Sequence, residues 1–340
     1  MLMANLNYPQ LQKEIFQDLS PRAQEVLRRR FGLENQRKET LEAIGQSFQV
    51  TRERVRQVEN AGLEKLREKS LLKIQPVINS FSRYLEKQGG LKREDLFLKE
   101  IGGEAGAPYV LFFLILAPSF YRIRESDLFY SFWTLQPEQV SQVEKTVDFL
   151  DQQLGKIHSP LSWEEILALD SQNDQSFLSS CLEVAKRIES NWESVFGLVD
   201  WPEIRPRRLG DKIYLVLRKE GQPRHFLEVT DLINQLNERI GALVSRLALP
   251  QTVHNELIRD ERFVLVGRGL YALREWGYEP GTVKEVIAHI LLESGHPLTQ
   301  EEIIDRVLEQ RIVQETTILL NLSRENDFEK LPDGYYRLAQ

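Results

Sequence analysis

Thr40-Leu41-Glu42-Ala43-Ile44-Gly45-Gln46-Ser47-Phe48-Gln49-Val50-Thr51-Arg52-Glu53-Arg54-Val55-Arg56-Gln57-Val58-Glu59 reads as two helices joined by a tight turn. Thr40 and Thr51 stand where an N-cap hydroxyl would satisfy an orphan amide of the first turn. Counting Leu41 as one, apolar residues fall at four, eight, ten, fifteen and eighteen, and glycine at five. That is the packing pattern of a helix-turn-helix. Gly45 is the small residue that lets the helices cross closely. Gln49 occupies the turn position usually given to glycine, where a left-handed backbone costs about 1 kcal/mol. Upstream, Ser20-Pro21 opens another helix, with Ser as N-cap and Pro at the first helical position. Val26, Leu27 and Phe31 form its apolar face, and Gly32 ends it.

The second helix of the pair carries Val55, Val58, Gly62, Leu63 and Leu66 as its inward residues. At about 100° per residue, Glu53, Arg56, Gln57 and Asn60 then turn outward, with Arg52 and Arg54 on the two edges. These side chains have base-reading chemistry: Arg donates to guanine, Glu accepts from cytosine N4, and Gln pairs with adenine. The ordinary alternative is a solvated helix face laced with ion pairs.

Around this stretch the composition is average for a globular protein. Of 340 residues, 41% are hydrophobic and 28% charged, which excludes a wholly disordered or fibrous chain. A single cysteine, Cys181, can form neither an internal disulfide nor a Cys-based zinc site, and it fits a reducing compartment. Met1 through Pro9 lacks the basic start and apolar core of a secretory signal. The longest apolar run, Tyr109 to Ala117, is too short to span about 30 Å of hydrocarbon. A cytoplasmic, soluble protein is expected. The net charge is −7, but residues 1–70 hold 13 Lys+Arg against 10 Asp+Glu, while the rest hold 31 against 41. A basic head on an acidic body means that at most one end is built to approach phosphates.

The body repeats. Pro160-Leu161-Ser162-Trp163-Glu164-Glu165-Ile166 recurs as Pro297-Leu298-Thr299-Gln300-Glu301-Glu302-Ile303, as Pro223-Arg224-His225-Phe226-Leu227-Glu228-Val229, and weakly as Gly90-Leu91-Lys92-Arg93-Glu94-Asp95-Leu96. The starts are 70, 63 and 74 residues apart. Ser162 with Glu165 and Thr299 with Glu302 form capping boxes, so each phrase opens a helix. A closing phrase, Phe263 to Leu273, has the spacing of Phe328 to Leu338, and both read as β-hairpins around Gly-Arg-Gly or Pro-Asp-Gly. Looser equivalents are Phe120 to Trp133 and Trp192 to Trp201. Each unit is then three helices and a hairpin, the order of a winged helix. The expected fold is mostly α: an N-terminal helix-turn-helix domain over 1–70, then winged-helix units over 71–135, 137–203, 207–277 and 281–340.

The head resembles a known family. Leu19-Ser20-Pro21-Arg22, Arg28-Arg29-Arg30-Phe31-Gly32, Thr40 to Gly45 and Val50 to Glu59 look like region four of sigma-70 family sigma factors, without gaps, over about 15% of the chain. In that family the second helix of the pair enters the major groove at the promoter −35 element. The resemblance implies that Arg52, Glu53, Arg56 and Gln57 read bases. It implies that Thr51, Arg22, Arg30 and the start of the Thr40 helix hold phosphates, and that Arg54 touches phosphate or an activator. Ala61 departs from a basic residue often found at its position. The family's domain also docks on the flap of the RNA polymerase β subunit. Nothing resembles the sigma regions that bind the core clamp or melt the −10 element, so a complete sigma factor is not expected. In the third unit, Leu215 to Pro223, Thr252 to Leu257 and Phe263 to Trp276 resemble the HARE-type winged helix of the RNA polymerase delta subunit.

No enzyme is expected. Gly102-Gly103-Glu104-Ala105-Gly106 lacks the Lys-Ser/Thr of a phosphate loop. The five histidines are scattered without metal-ligand spacing. No metal, small-molecule cofactor or membrane partner is implied. The leading expectation is a sequence-specific DNA-binding transcription regulator acting on double-stranded promoter DNA. The alternative is an RNA polymerase accessory protein that docks on the core enzyme without specific DNA, and a structural scaffold is the third reading.

Overall fold

The computed structural model describes residues 6–240, 247–323 and 327–339. Its helices and hairpins fall into two compact units, residues up to 190 with 194–199, and 191–193 with 200 onward.

The first unit begins with α1 (Tyr8–Phe16), capped by Asn7, whose Oδ1 accepts the Gln10 amide at 3.1 Å. The helix α2 (Pro21–Phe31) starts at the Ser20 cap and stops at Gly32, which takes the left-handed conformation at φ 68°. Then come α3 (Leu41–Ser47) and α4 (Arg52–Lys87). The boundary expected after residue 70 falls inside α4, which runs unbroken for 36 residues. The physical reason is a continuous inward stripe: Leu63, Leu66, Ser70, Ile74, Val77, Ile78 and Phe81 are all buried. A strand, β1 (Leu91–Arg93), leads into α5 (Glu94–Leu116), which kinks at Gly103, where φ is 59°. The hairpin β2 (Tyr121–Ile123) and β3 (Phe132–Thr134) completes a sheet in the order β1-β3-β2.

The C-terminal half of α5, the long apolar run, packs on the head. Phe112 meets Phe16 and Phe31 edge-on, at centroid separations of 5.6 and 5.3 Å. One apolar cluster joins residues of α1, α2, α4 and α5 with Trp133. The same unit continues with α6 (Gln139–Ile157), α7 (Trp163–Leu169), α8 (Gln175–Val184), β4 (Ile188–Ser190) and β5 (Phe196–Leu198). That hairpin lies a few residues earlier than the span Trp192 to Trp201 suggested. Its strands bury Ile188 and Gly197, and both tryptophans are half-buried flanks.

The second unit contains α9 (Leu209–Glu220), β6 (Arg224–His225), α10 (Phe226–Arg239), α11 (Pro250–Arg259), β7 (Phe263–Gly267) and β8 (Leu270–Leu273). After these come α12 (Val283–Ser294), α13 (Gln300–Gln310), α14 (Glu315–Leu322), β9 (Phe328–Lys330) and β10 (Tyr336–Leu338). Among its apolar clusters, one lies around Ile213, Val229, Leu257 and Tyr271, and another around Ile287, Ile303, Ile318 and Tyr336. The buried Arg311 guanidinium donates to the carbonyls of Glu279 and Gly281, at 2.5 and 3.0 Å, and so pins the connection between them.

The repeated phrases have a common structural meaning. Each opening phrase contributes a short extended segment that pairs with the last strand of its own hairpin: Leu91 with Thr134, Leu161 with Phe196, Arg224 with Tyr271, and Leu298 with Tyr336. Both expected capping boxes form. Ser162 and Glu165 exchange bonds of 2.7 and 3.3 Å, and Thr299 and Glu302 exchange bonds of 2.8 and 3.2 Å. Gly269 needs its missing side chain: φ is +72°, and a Cβ would stand 2.5 Å from His225 Nε2. The fold is mostly α with small antiparallel sheets, as the sequence implied. Among the described residues, no helix is long and apolar enough to cross a membrane.

Candidate nucleic-acid interface

The site is built on a small apolar cluster of its own. Val26 of α2, Ile44 of α3 and Val55 of α4 are buried together, with Leu41, Phe48, Val50 and Val58 packed around them. The turn between α3 and α4 works as the spacing implied. Gln49 takes φ 56°, the left-handed value, and Val50 donates its amide to the Gly45 carbonyl at 2.9 Å. A Cβ on Gly45 would sit 2.8 Å from the Val50 carbonyl oxygen. Gly45→Val should therefore force α3 and α4 apart and lower stability by about 2 kcal/mol, as overpacking does. A denaturation midpoint within error of the parent would refute that reading of the crossing.

The two caps form as expected. Thr40 Oγ1 accepts the Ala43 amide at 3.1 Å, and Thr51 Oγ1 accepts the Arg54 amide at 3.2 Å. Arg52, Glu53, Arg54, Arg56, Gln57 and Asn60 are all exposed on the first turns of α4. The structure also pairs some of them. Arg56 forks onto Glu53 with bonds of 2.6 and 2.8 Å, and Arg54 donates to Gln57 Oε1 at 3.1 Å. Hydrogen bonding to Arg56 holds the Glu53 carboxyl below its usual range. Arg52 makes no side-chain hydrogen bond or ion pair among the described residues. An exposed pair such as Glu53–Arg56 is worth little in water, so exchanging it for base edges costs little.

The phosphate candidates separate into two kinds. Arg22 is exposed, with its guanidinium 5.4 Å from the Phe48 ring centroid. Arg30 is engaged in the fold: it reaches Glu59 at 3.3 Å and the Glu39 carbonyl at 3.2 Å. Arg29, which spacing alone did not single out, grips Glu39 with two bonds of 2.9 and 2.6 Å. It also donates to Ser47 Oγ at 2.7 Å and lies over Phe48 beside Arg22. Its hydrogen bonds hold the Glu39 carboxyl below its usual range. Arg29 thus ties the end of α2 to both ends of α3. The available signal was Glu39 just ahead of the Thr40 cap, an acid with no other use.

Elsewhere Cys181 is buried in α8, where burial pushes its thiol up. No group of three or more His, Cys, Asp or Glu among the described residues could hold a metal ion.

Comparison with known proteins matches this region. Residues 15–68 match the family model for sigma-70, region 4. The chain is 54% identical over 55 residues to the RNA polymerase sigma factor SigA of a Nostoc species, covering 16% of this chain and 14% of that one. It is 53% identical over 57 residues to SigA of Clostridium acetobutylicum, covering 17% and 15%. It is 53% identical over 55 residues to the sigma factor RpoD of Neisseria gonorrhoeae, covering 16% and 9%. The matched stretch therefore spans at most 15% of the length of these relatives. A DNA-binding, transcription-related helix-turn-helix stands at residues 15–68.

Proposed function

We propose that this protein is a sequence-specific DNA-binding regulator of transcription that reads −35-like promoter sequence with the first turns of α4. The single observation that carries the reading is the exposed row Arg52, Glu53, Arg56 and Gln57, projected from a helix whose turn and caps are built as a helix-turn-helix requires. In this reading these four side chains read bases. Arg22, Thr40, Thr51 and Arg54 hold phosphates, and Arg30 supports them from the fold. The role is binding, in the cytoplasm where bacterial promoters lie.

The acidic body would act by protein contact. In the first two winged-helix units the third helix is spent on packing: the C-terminal half of α5 lies in the head's core, and α8 buries Phe177, Leu178, Cys181 and Leu182. Neither can enter a groove. The third unit, residues 207–277, is taken as the HARE-like module, with 281–340 as a fourth winged helix. Contact with core RNA polymerase belongs to the same proposal, with the β flap as the docking element. The apolar face of α1, α2 and α4 is covered by α5, so such docking would use the head's polar surface.

The test is selection of duplexes from a random pool by the full chain, beside a pull-down of core polymerase with and without nuclease. A defined consensus is expected. Arg52→Ala should relax choice at one or two positions, costing about 1–3 kcal/mol on the preferred site. Arg22→Ala should weaken all sequences about equally. An unselective pool, with polymerase capture that survives nuclease, would favour the accessory-protein alternative instead.

A further inference from the structure

The negative charge of the body is concentrated in one stretch. Residues 71–340 hold 31 Lys+Arg against 41 Asp+Glu, and residues 137–203 alone hold 4 against 13. Nine of the ten excess acids therefore lie in that stretch. An aromatic groove lies there too.

Tyr130, Trp163 and Phe196 wall a cleft of about 530 Å³, with the buried Leu182 and Ile188 in its lining. A second cleft of about 490 Å³ adjoins it, since Trp163 and Ser179 line both, and Asp174 lies in the second. The walls are fixed before anything binds. Phe196 and Leu161 exchange backbone bonds of 2.8 and 2.7 Å, and the Trp163 ring stands 5.9 Å from that of Phe196. The Tyr130 amide donates to the Val184 carbonyl at 2.9 Å. A preformed groove costs a partner little ordering.

The charges divide the groove in two. At the Tyr130 end the cations are spent. Arg93 stands over the ring at 4.8 Å and pairs with Asp95 at 2.6 Å, and Lys186 pairs with Glu125 at 2.6 Å. At the Trp163 end the acids are not. Glu164 and Glu165 follow Trp163 in α7, and all three acids, with Asp174, are exposed and meet no cation among the described residues. The half-buried Trp163 donates its indole N–H to no group among the described residues. From α8 come Gln175 and Ser179, and no cation. A phosphate backbone has nothing to hold here, whereas a Lys or Arg over the Trp163 face gains both the ring and the acids.

We propose that this groove binds a basic peptide segment of a partner protein. A large aliphatic side chain fills the cleft between Tyr130 and Phe196, and a neighbouring Lys or Arg lies over Trp163, facing Asp174. The proposal rests on the protein-contact role given above to the acidic body, and deepens it. It does not depend on what α4 reads.

The experiment titrates the full chain into four fluorescein-labelled nonapeptides, read by anisotropy. Their central four residues alternate Lys with Leu, Lys with Ser, Glu with Leu, or Ser with Leu. Saturable binding is expected for the Lys–Leu peptide alone, weakening as salt rises. Trp163→Ala should weaken it about 30-fold, as the loss of an aromatic anchor does. Asp174→Asn should weaken it about threefold, an exposed charge being worth less. Ser179→Arg, at an exposed position of α8 without a side-chain hydrogen bond, puts a cation into the groove. It should abolish binding while the melting of the protein stays unchanged. Lys–Ser binding as tight as Lys–Leu would reduce the effect to bulk charge and overturn the groove. So would a Ser179→Arg protein that binds as the parent does, which moves the contact elsewhere on the body. If the full chain dimerises and Ser179→Arg makes it monomeric, a second copy occupies the groove and the basic partner is refuted. Binding by none of the four peptides also overturns the groove. The polymerase pull-down above then reports separately on whether the body makes protein contacts.

Discussion

Phe112→Ala should be among the most damaging single substitutions in the first unit, lowering its stability by about 3–5 kcal/mol. The ring is fully buried and meets Phe16 of α1, Phe31 of α2 and its own neighbour Phe113 edge-on, the last at 5.4 Å. Its removal leaves a cavity lined by rigid aromatic faces and helix backbone, which collapse poorly. The consequence reaches the proposed DNA-reading face although Phe112 lies outside it. Residues Leu27 and Phe31 of α2 and Leu63 and Leu66 of α4 belong to the same cluster as Phe112. The cluster that sets α3 against α4 contains only three fully buried residues. The head alone is too small to replace what α5 supplies. DNA affinity and the melting of the first unit should therefore fall together in Phe112→Ala. Residues 1–70 expressed alone should fold poorly. A truncated head that melted cooperatively and bound its duplex as the full chain does would refute this account.

The helix-turn-helix was legible because every one of its requirements is local. Caps at Thr40 and Thr51, the glycine at the crossing and the apolar spacing act within twenty residues, and each recurs in the structure. Even Gln49 takes the left-handed backbone conformation that its position demands. The repeats were legible for a similar reason, since a capping box and a hairpin turn are written in adjacent residues. What spacing does not reveal is which helices share a core. The amphipathic period of α4 runs through residue 70 with no stop signal, and the Tyr109 to Ala117 run announces burial without naming its partner. The base-reading candidates show the same division. Their exposure follows from helical period, whereas the Arg56–Glu53 fork depends on rotamers. Arg30 and Arg29 look alike in sequence, yet one answers to Glu59 across the fold and the other to Glu39 beside the α3 cap.

The weakest copy of the opening phrase has a specific physical cause, and it leads to the second large effect. In Gly90 to Leu96 the position of the helix cap is taken by Arg93, which makes no side-chain cap bond. The phrase has traded its cap for a junction. Lys92 is 4% exposed, and its ammonium reaches Glu183 of α8 at 2.6 Å and Glu100 of α5 at 3.1 Å. The Arg93 amide donates to the same Glu183 at 3.1 Å, and Ser180 of α8 donates to the Gln88 carbonyl at 2.6 Å. At Gly89 a Cβ would stand 2.4 Å from the Phe177 backbone, so α8 lies directly on the chain there.

Lys92→Met keeps the volume of the stem and removes the charge that two carboxylates share. Breaking a buried pair costs about 3–5 kcal/mol when both groups are deep. Glu183 is 21% and Glu100 44% exposed, so solvent softens the loss. About 2–3 kcal/mol is expected. The decisive comparison is Lys92→Met with Glu183→Gln. The amide can still accept from Arg93 while carrying no charge, so the double variant should recover more than half of the loss. Lys92→Met alone should also speed amide exchange in α8 ahead of α2 and α3, because the junction opens before the head does. Both variants falling equally would show that the lysine acts by packing. Unchanged stability in Lys92→Met would show that α8 is held against this segment by its apolar contacts alone.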